Sequence, residues 1–178
     1  MDRKNFKEDA ALWPILEERA RALALQKLAS DEDLSEEVLI FQLGEGKYSL
    51  PAHFVSEVQP LRVYTALPTT PLFIVGLVNV RGRILTAIDI RPLLDIPPTP
   101  PKEQGFLLII NAAGMEVGFL ADLVTEVRRG EPNLAPALST TSGRGMPWIR
   151  GIDRDLNLLL DPPLLLADPR MVINRMED

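Results

Sequence analysis

Residues 74–94 read IVGLVNVRGRILTAIDIRPLL, and the order of residue types along this stretch decides the fold class. One apolar run, residues 72–80, stops at Arg81-Gly82-Arg83, and a second, residues 84–90, follows at once. Two short apolar runs rich in β-branched residues and split by a two-residue Arg-Gly break predict a β-hairpin. Gly82 is expected to make the turn, because a tight hairpin needs positive φ and glycine adopts it without steric cost. Ile84 and Ile88 are expected to fill the interior behind the hairpin. RPLLD, residues 91–95, suggests a single helical turn after the second strand.

The same grammar extends in both directions. Upstream, VLIFQL (38–43) is a short buried strand, GEGK (44–47) a glycine turn, and YSLPA the start of a returning strand that continues through HFVSEV (53–58) until Pro60 ends it. PTTP (68–71) is a stiff connection. Downstream, a proline-dense crossover lies near residues 97–104. A second round then begins: FLLIIN (106–111), a turn at AAGM, a strand over 116–120, and ADLVTEV (121–127). IRGID (149–153) and LNLLLD (156–161) form another strand–turn–strand unit, whose Arg150-Gly151 echoes Arg81-Gly82, and a short helix is expected over 162–167. Each half therefore runs hairpin, V-x-E-V, then two strands of which the second ends in Asp. Such an internal repeat of strands too short to bury both faces predicts two small β-barrels packed together around a shared core.

The rest of the chain sets limits. Apolar residues recur on one face over residues 9–29, with acidic residues early, which predicts an amphipathic N-terminal helix; SDEDLSEE (30–37) reads as an acidic linker. The expected organisation is helix and linker at 1–37, the double-barrel domain at 38–168 and a tail at 169–178. With no cysteine, disulfides, thiolate metal sites and cysteine catalysis are excluded. A net charge of −6 argues against a generic nucleic-acid binder, which needs a basic face for phosphates. No signal-like or membrane-spanning apolar run occurs, so no direct membrane insertion and a cytoplasmic location are expected. His53 is the only histidine and has no second ligand type beside it for a zinc site; no G-x-S-x-G elbow supports a hydrolase. No cofactor and no catalytic role are expected.

Four blocks at fixed spacing, FQLGEGKYSLPAHFVSEVQPL, IVGLVNVRGRILTAIDIRPLL, FLLIINAAGMEVGFLADLVTEV and WIRGIDRDLNLLLD, resemble the CheW-like domain, the coupling adaptor of bacterial chemosensory arrays. The resemblance implies two intertwined five-stranded SH3-like β-barrels. It implies as partners the regulatory domain of a CheA-type histidine kinase and the cytoplasmic tip of methyl-accepting chemoreceptors, with the protein peripheral to receptor arrays at the inner membrane. It places Arg81, Asn79, Val55 and Glu57 on partner-facing surface, and Phe106 beside a groove between the barrels.

Each of these residues also has a plainer reading. Arg81 is either an interface anchor, suited to a bidentate carboxylate contact, or an ordinary turn residue. Val55 either lines a groove or sits in the core, on the opposite face from Val58 if the strand is regular. Glu57 reads as an exposed carboxylate, His53 as a surface or barrel-edge side chain, and Asp89 and Asp161 as residues that satisfy backbone groups at turns. A scaffold for a non-motility pathway (pilus or biofilm) that binds the kinase without receptors, and a small-barrel nucleic-acid binder, are the alternative functions.

Overall fold

The computed structural model describes residues 36–97, 99–101, 104–131, 134–136 and 146–171. The expected N-terminal helix, most of the acidic linker and residues 172–178 lie outside them. The described residues form ten strands: β1 Glu37–Leu43, β2 Gly46–Pro51, β3 Val55–Pro60, β4 Ile74–Val80, β5 Arg83–Ile88, β6 Phe106–Ala112, β7 Met115–Ala121, β8 Leu123–Arg129, β9 Ile149–Ile152 and β10 Leu158–Leu160. Pro162–Leu166 forms a short helix, α1, and Ala52–Phe54 and Arg91–Leu94 are 3-10 turns.

The strands form two five-stranded sheets, β8-β1-β2-β10-β9 and β3-β6-β7-β5-β4. Adding five to each strand number of one sheet, counted cyclically, reproduces the other. Each sheet takes the first two strands of one half and the last three of the other, so the predicted repeat is real and the two barrels are intertwined. The pairing repeats too: β10 runs parallel to β2, and β5 runs parallel to β7. The crossing points are short. Ala52–Phe54 carries the chain from one sheet to β3 of the other, and Asp122 separates β7 from β8 on the way back.

V-x-E-V marks the same device twice. The register slips between Val55 and Glu57 on β3, and between the Ile40–Glu126 and Phe41–Val124 pairs on β8, leaving Ser56 and Thr125 as bulged residues. The bulge turns the strand just after it has changed sheets.

The second Arg-Gly pair does not have the place that the sequence suggested. Gly151 lies inside β9, opposite Leu159, and has φ 158°; its partner in the other half is Gly76, opposite Ala87 with φ 152°. The alignment is fixed by equivalent bonds: Asp89 N–H donates to the Phe73 carbonyl as Asp161 N–H donates to that of Trp148. FIVGL therefore matches WIRGI. The two glycines allow a neighbouring chain to lie against the strand. A Cβ on Gly76 would come within 2.2 Å of the Thr65 carbonyl oxygen, and one on Gly151 within 2.6 Å of the Leu134 Cβ.

The principal core lies between the barrels. Leu39, Phe41, Leu50, Ile88, Ile110, Phe119, Trp148 and Leu160 meet there, drawn from both sheets. Ile88 is buried as expected, and Phe41 packs its ring 5.8 Å from Tyr48. The interior of the β3–β7 barrel is a second apolar cluster with Leu61, Val78, Val80, Leu85, Leu107 and Ile109. The other barrel holds only Val38, Ile40 and Leu159 in its cluster, and it buries polar Ser49, Asp153 and Asn157 as well.

One buried ionic group joins the two sheets. Arg91 is 1% exposed and reaches Asp89 at 3.0 Å and Asp122 at 2.6 Å. Asp122 also accepts the Gly44 N–H of the β1–β2 turn at 2.6 Å. Burial works against the Arg91 charge, but the bonds and charges of Asp122 and Asp89 outweigh it and raise its pKa. Asp89 and Asp161 act at turns as expected: Asp89 accepts the Arg91 N–H, and Asp161 caps α1 by accepting the Leu164 N–H.

Candidate functional site

The β4–β5 hairpin closes through the Val80–Arg83 pair, leaving Arg81 and Gly82 as its two loop residues. Both have positive φ, 51° and 84°, which defines a type I′ turn. Asn79 steadies it by accepting the Gly82 N–H at 2.8 Å. Gly82 makes the turn, as its residue type requires. Arg81 does so as well, although a branched-free L side chain with positive φ costs about 1–2 kcal/mol. Asn or Gly in that place would suit the backbone better. The arginine is held there against local preference, with its side chain 77% exposed.

Arg81 and Glu57 come together. Their side chains meet at 3.0 Å, with Glu57 only 21% exposed. Since β3 and β4 are the two edge strands of their sheet, this pair spans the seam of the barrel. A backbone bridge between Thr65 and Leu77 spans it further along. Val55 is half-buried and packs on the principal core, whereas Val58 is exposed; the expected alternation fails because the bulge at Ser56 pairs Val55 with Ile110 and Val58 with Leu108, which share a face. Phe106 is likewise half-buried against the principal core, between Pro60 and Ala121.

Ile84 is not interior. It is 62% exposed, because Leu85 and Ala87 take the inward positions of β5 and Ile84 stands on the outer face near the hairpin tip. It lines a groove of about 660 Å³ in the β3–β4 seam, together with Val63, Leu61, Leu107, Asn79 and Arg62. Leu61 and Leu107 are part of the barrel's apolar interior, while Val63 is 80% exposed. A smaller depression of about 490 Å³, bordered by Phe54, Ala113 and Met115, lies where the Ala52–Phe54 crossover meets the β6–β7 turn.

The matching seam of the other barrel, between β8 and β9, is built differently. Arg128 reaches Asp153 at 2.9 Å and Asp155 at 2.6 Å, and Arg154 faces Glu131 at 3.7 Å. Burial alone would raise the Asp153 pKa; bonds from Asn157 and the Arg128 charge overcome this and lower it. The β3–β4 seam thus holds one ion pair beside a groove with exposed aliphatic side chains, whereas the described part of the β8–β9 seam carries several ion pairs.

Trp148 donates to Asp168 at 2.9 Å, and Arg170 holds the same carboxylate. The Arg170 bond is the main cause that brings the Asp168 pKa down to about 2; burial opposes it, and the Trp148 bond assists. His53 is exposed, stacks 4.1 Å from Phe54 and lies 3.8 Å from Glu36. Among the described residues, no three His, Cys, Asp or Glu side chains cluster to hold a metal, and no helix is long and apolar enough to cross a membrane.

Comparison with known proteins agrees with this architecture. The family model of the CheW-like domain matches residues 37–170, and the chain belongs to that family. Its relatives include the chemotaxis protein CheW of Klebsiella aerogenes, 28% identical, with 84% of this chain and 92% of the relative aligned. Another is the protein PilI of Pseudomonas aeruginosa, 29% identical over 75% of this chain and 83% of the relative. The crystal structure of the scaffolding protein TtCheW from Thermoanaerobacter tengcongensis superposes with a TM-score of 0.65 at 25% identity, covering 77% of this chain and 96% of that one. The family's proteins are scaffolds, in chemotaxis and related pathways, and not enzymes.

Sequence reasoning named Arg81, Glu57 and Asn79, and these three converge on the hairpin tip. It missed Arg62, Val63 and Ile84. Alternation along β5 separates residues 84 and 88 from 85 and 87, but it does not say which pair faces the barrel interior.

Proposed function

We propose that this chain is a non-catalytic adaptor that binds the regulatory domain of a CheA-type histidine kinase through the β4–β5 hairpin tip and the adjoining seam. The observation that carries this reading is Arg81, kept in a costly left-handed conformation and exposed beside Glu57. A backbone conformation that local preference disfavours, at an exposed tip with no packing role, is expected of a functional residue. The apolar groove next to it offers what an interface centre needs: exposed aliphatic side chains around a shallow cavity. The second partner in this reading is the helical tip of a chemoreceptor, whose apolar face suits a depression such as that bordered by Phe54 and Met115. Coupling the two places the protein in the cytoplasm, against receptor arrays.

The test is a binding assay of the full chain with the kinase regulatory domain and, separately, with a receptor tip from the same organism. Binding of both supports the coupling role. Binding of the kinase domain alone supports a scaffold without receptors, and binding of neither removes the proposal.

A further inference from the structure

The seam groove carries more than a docking position. Arg62 is its only charged lining residue, and no carboxylate lines it. Most described arginines face an acid: Arg81 meets Glu57, Arg83 meets Glu116, Arg91 meets two aspartates, and Arg128, Arg150, Arg154 and Arg170 each have their own. Arg62 is exposed and has no such partner among the described residues. An unneutralised guanidinium at the rim of an apolar groove, in a chain of net charge −6, is an isolated positive centre.

We infer that the groove accepts a protein edge with an aliphatic side chain flanked by a carboxylate, and that Arg62 is the specificity-determining residue that recognises the carboxylate. This rests on the kinase-binding reading above and adds what the kinase surface must present. The apolar part of the partner enters against Ile84, Val63 and Leu61; the acid meets Arg62, whose planar fork takes a carboxylate through two hydrogen bonds. Arg81 and Arg83 each already face a glutamate, whereas Arg62 brings to the groove a charge with no acid beside it among the described residues. A partner with a basic rim is repelled, and one with a neutral rim gains the apolar contact alone. The charge thus sorts related kinase surfaces. The opposite seam presents a different chemistry among the described residues, the ion pairs of Arg128 with Asp153 and Asp155.

The experiment titrates the kinase regulatory domain into the full-length chain and into Arg62→Ala, Arg62→Glu and Ile84→Asp, each at low and at physiological salt. Thermal melts check that all are folded, which their exposed positions favour. The wild type should bind and should weaken as salt rises. Arg62→Ala should bind several-fold more weakly and lose much of that salt dependence, and Arg62→Glu should lose roughly tenfold or more, mostly through slower association. Ile84→Asp should abolish measurable binding. If the wild type forms no complex, the kinase-binding reading falls and this inference with it. If the complex forms and Ile84→Asp leaves it intact, the groove is not the site. If Ile84→Asp disrupts it but Arg62→Glu binds as tightly as wild type at both salts, recognition of a carboxylate is overturned and the adaptor reading stands.

Discussion

At Arg81 the demands of folding separate from those of the proposed binding role. The type I′ turn favours Asn before Gly82, and the sequence supplies arginine. Replacing Arg81 by Asn relieves the strained φ while removing a largely exposed ion pair worth about 0–1 kcal/mol. The melting temperature of Arg81→Asn should therefore equal or slightly exceed that of wild type, as calorimetry would show, while binding of the kinase domain is lost. Gly82→Ala should do the reverse. It puts a Cβ where φ is 84°, costing about 1–2 kcal/mol of stability while keeping the guanidinium. In the proposed interface Glu57 positions Arg81, which it touches from the half-buried side of the seam.

At the scale of elements, the glycine bulges of β4 and β9 and the end of α1 make the strongest demands. Gly76→Ala forces a carbon to within 2.2 Å of a backbone oxygen, and the chain can relieve this only by breaking the Thr65–Leu77 bridge. A loss of about 2 kcal/mol or more in urea denaturation is expected. The Asp168 carboxylate, with its pKa lowered to about 2 from an ordinary 3.8, contributes stability that is fully present above pH 4. That contribution is lost as pH falls from 4 through 2, where protonation breaks the Arg170 and Trp148 contacts. Melting curves between pH 5 and 2.5 should fall less steeply for Asp168→Asn than for wild type, from a lower starting point. Elements are also where sequence reading reached and where it stopped. Strand existence followed from short apolar runs and turn residues, and the strand spans were close. The register of the repeat did not, because Arg81-Gly82 and Arg150-Gly151 look alike as letters. One is a turn and the other a strand interior, and only the partner strands distinguish them. The interior assignment of Ile84 failed for a related reason. Being apolar says that burial is favourable, not which of two strand faces is inside. Arg62 carried no local signal at all; its proposed meaning depends on its having no acid in ion-pair reach among the described residues.

At the scale of the whole molecule, the shared core and the Arg91 clamp make one cooperative unit of two barrels. The principal core draws side chains from both sheets, so neither barrel keeps its apolar surface covered if the other opens. The described domain should unfold in a single transition when followed by tryptophan fluorescence of Trp148 and by circular dichroism together; two separated transitions would contradict a shared core. Arg91→Ala leaves two buried carboxylates without their cation and should cost about 3–5 kcal/mol. The asymmetry of the seams matters at this scale as well. An aliphatic groove in one seam and several ion pairs in the described part of the other make the two barrels chemically unlike. The claim on which the account depends is that the hairpin tip is a binding surface and not merely a turn. Titration calorimetry of the kinase regulatory domain against wild type and Arg81→Asn tests it most directly. The account predicts that the variant melts no lower than wild type and binds at least tenfold more weakly, about 1.4 kcal/mol or more. Equal affinities for the two folded proteins would contradict it.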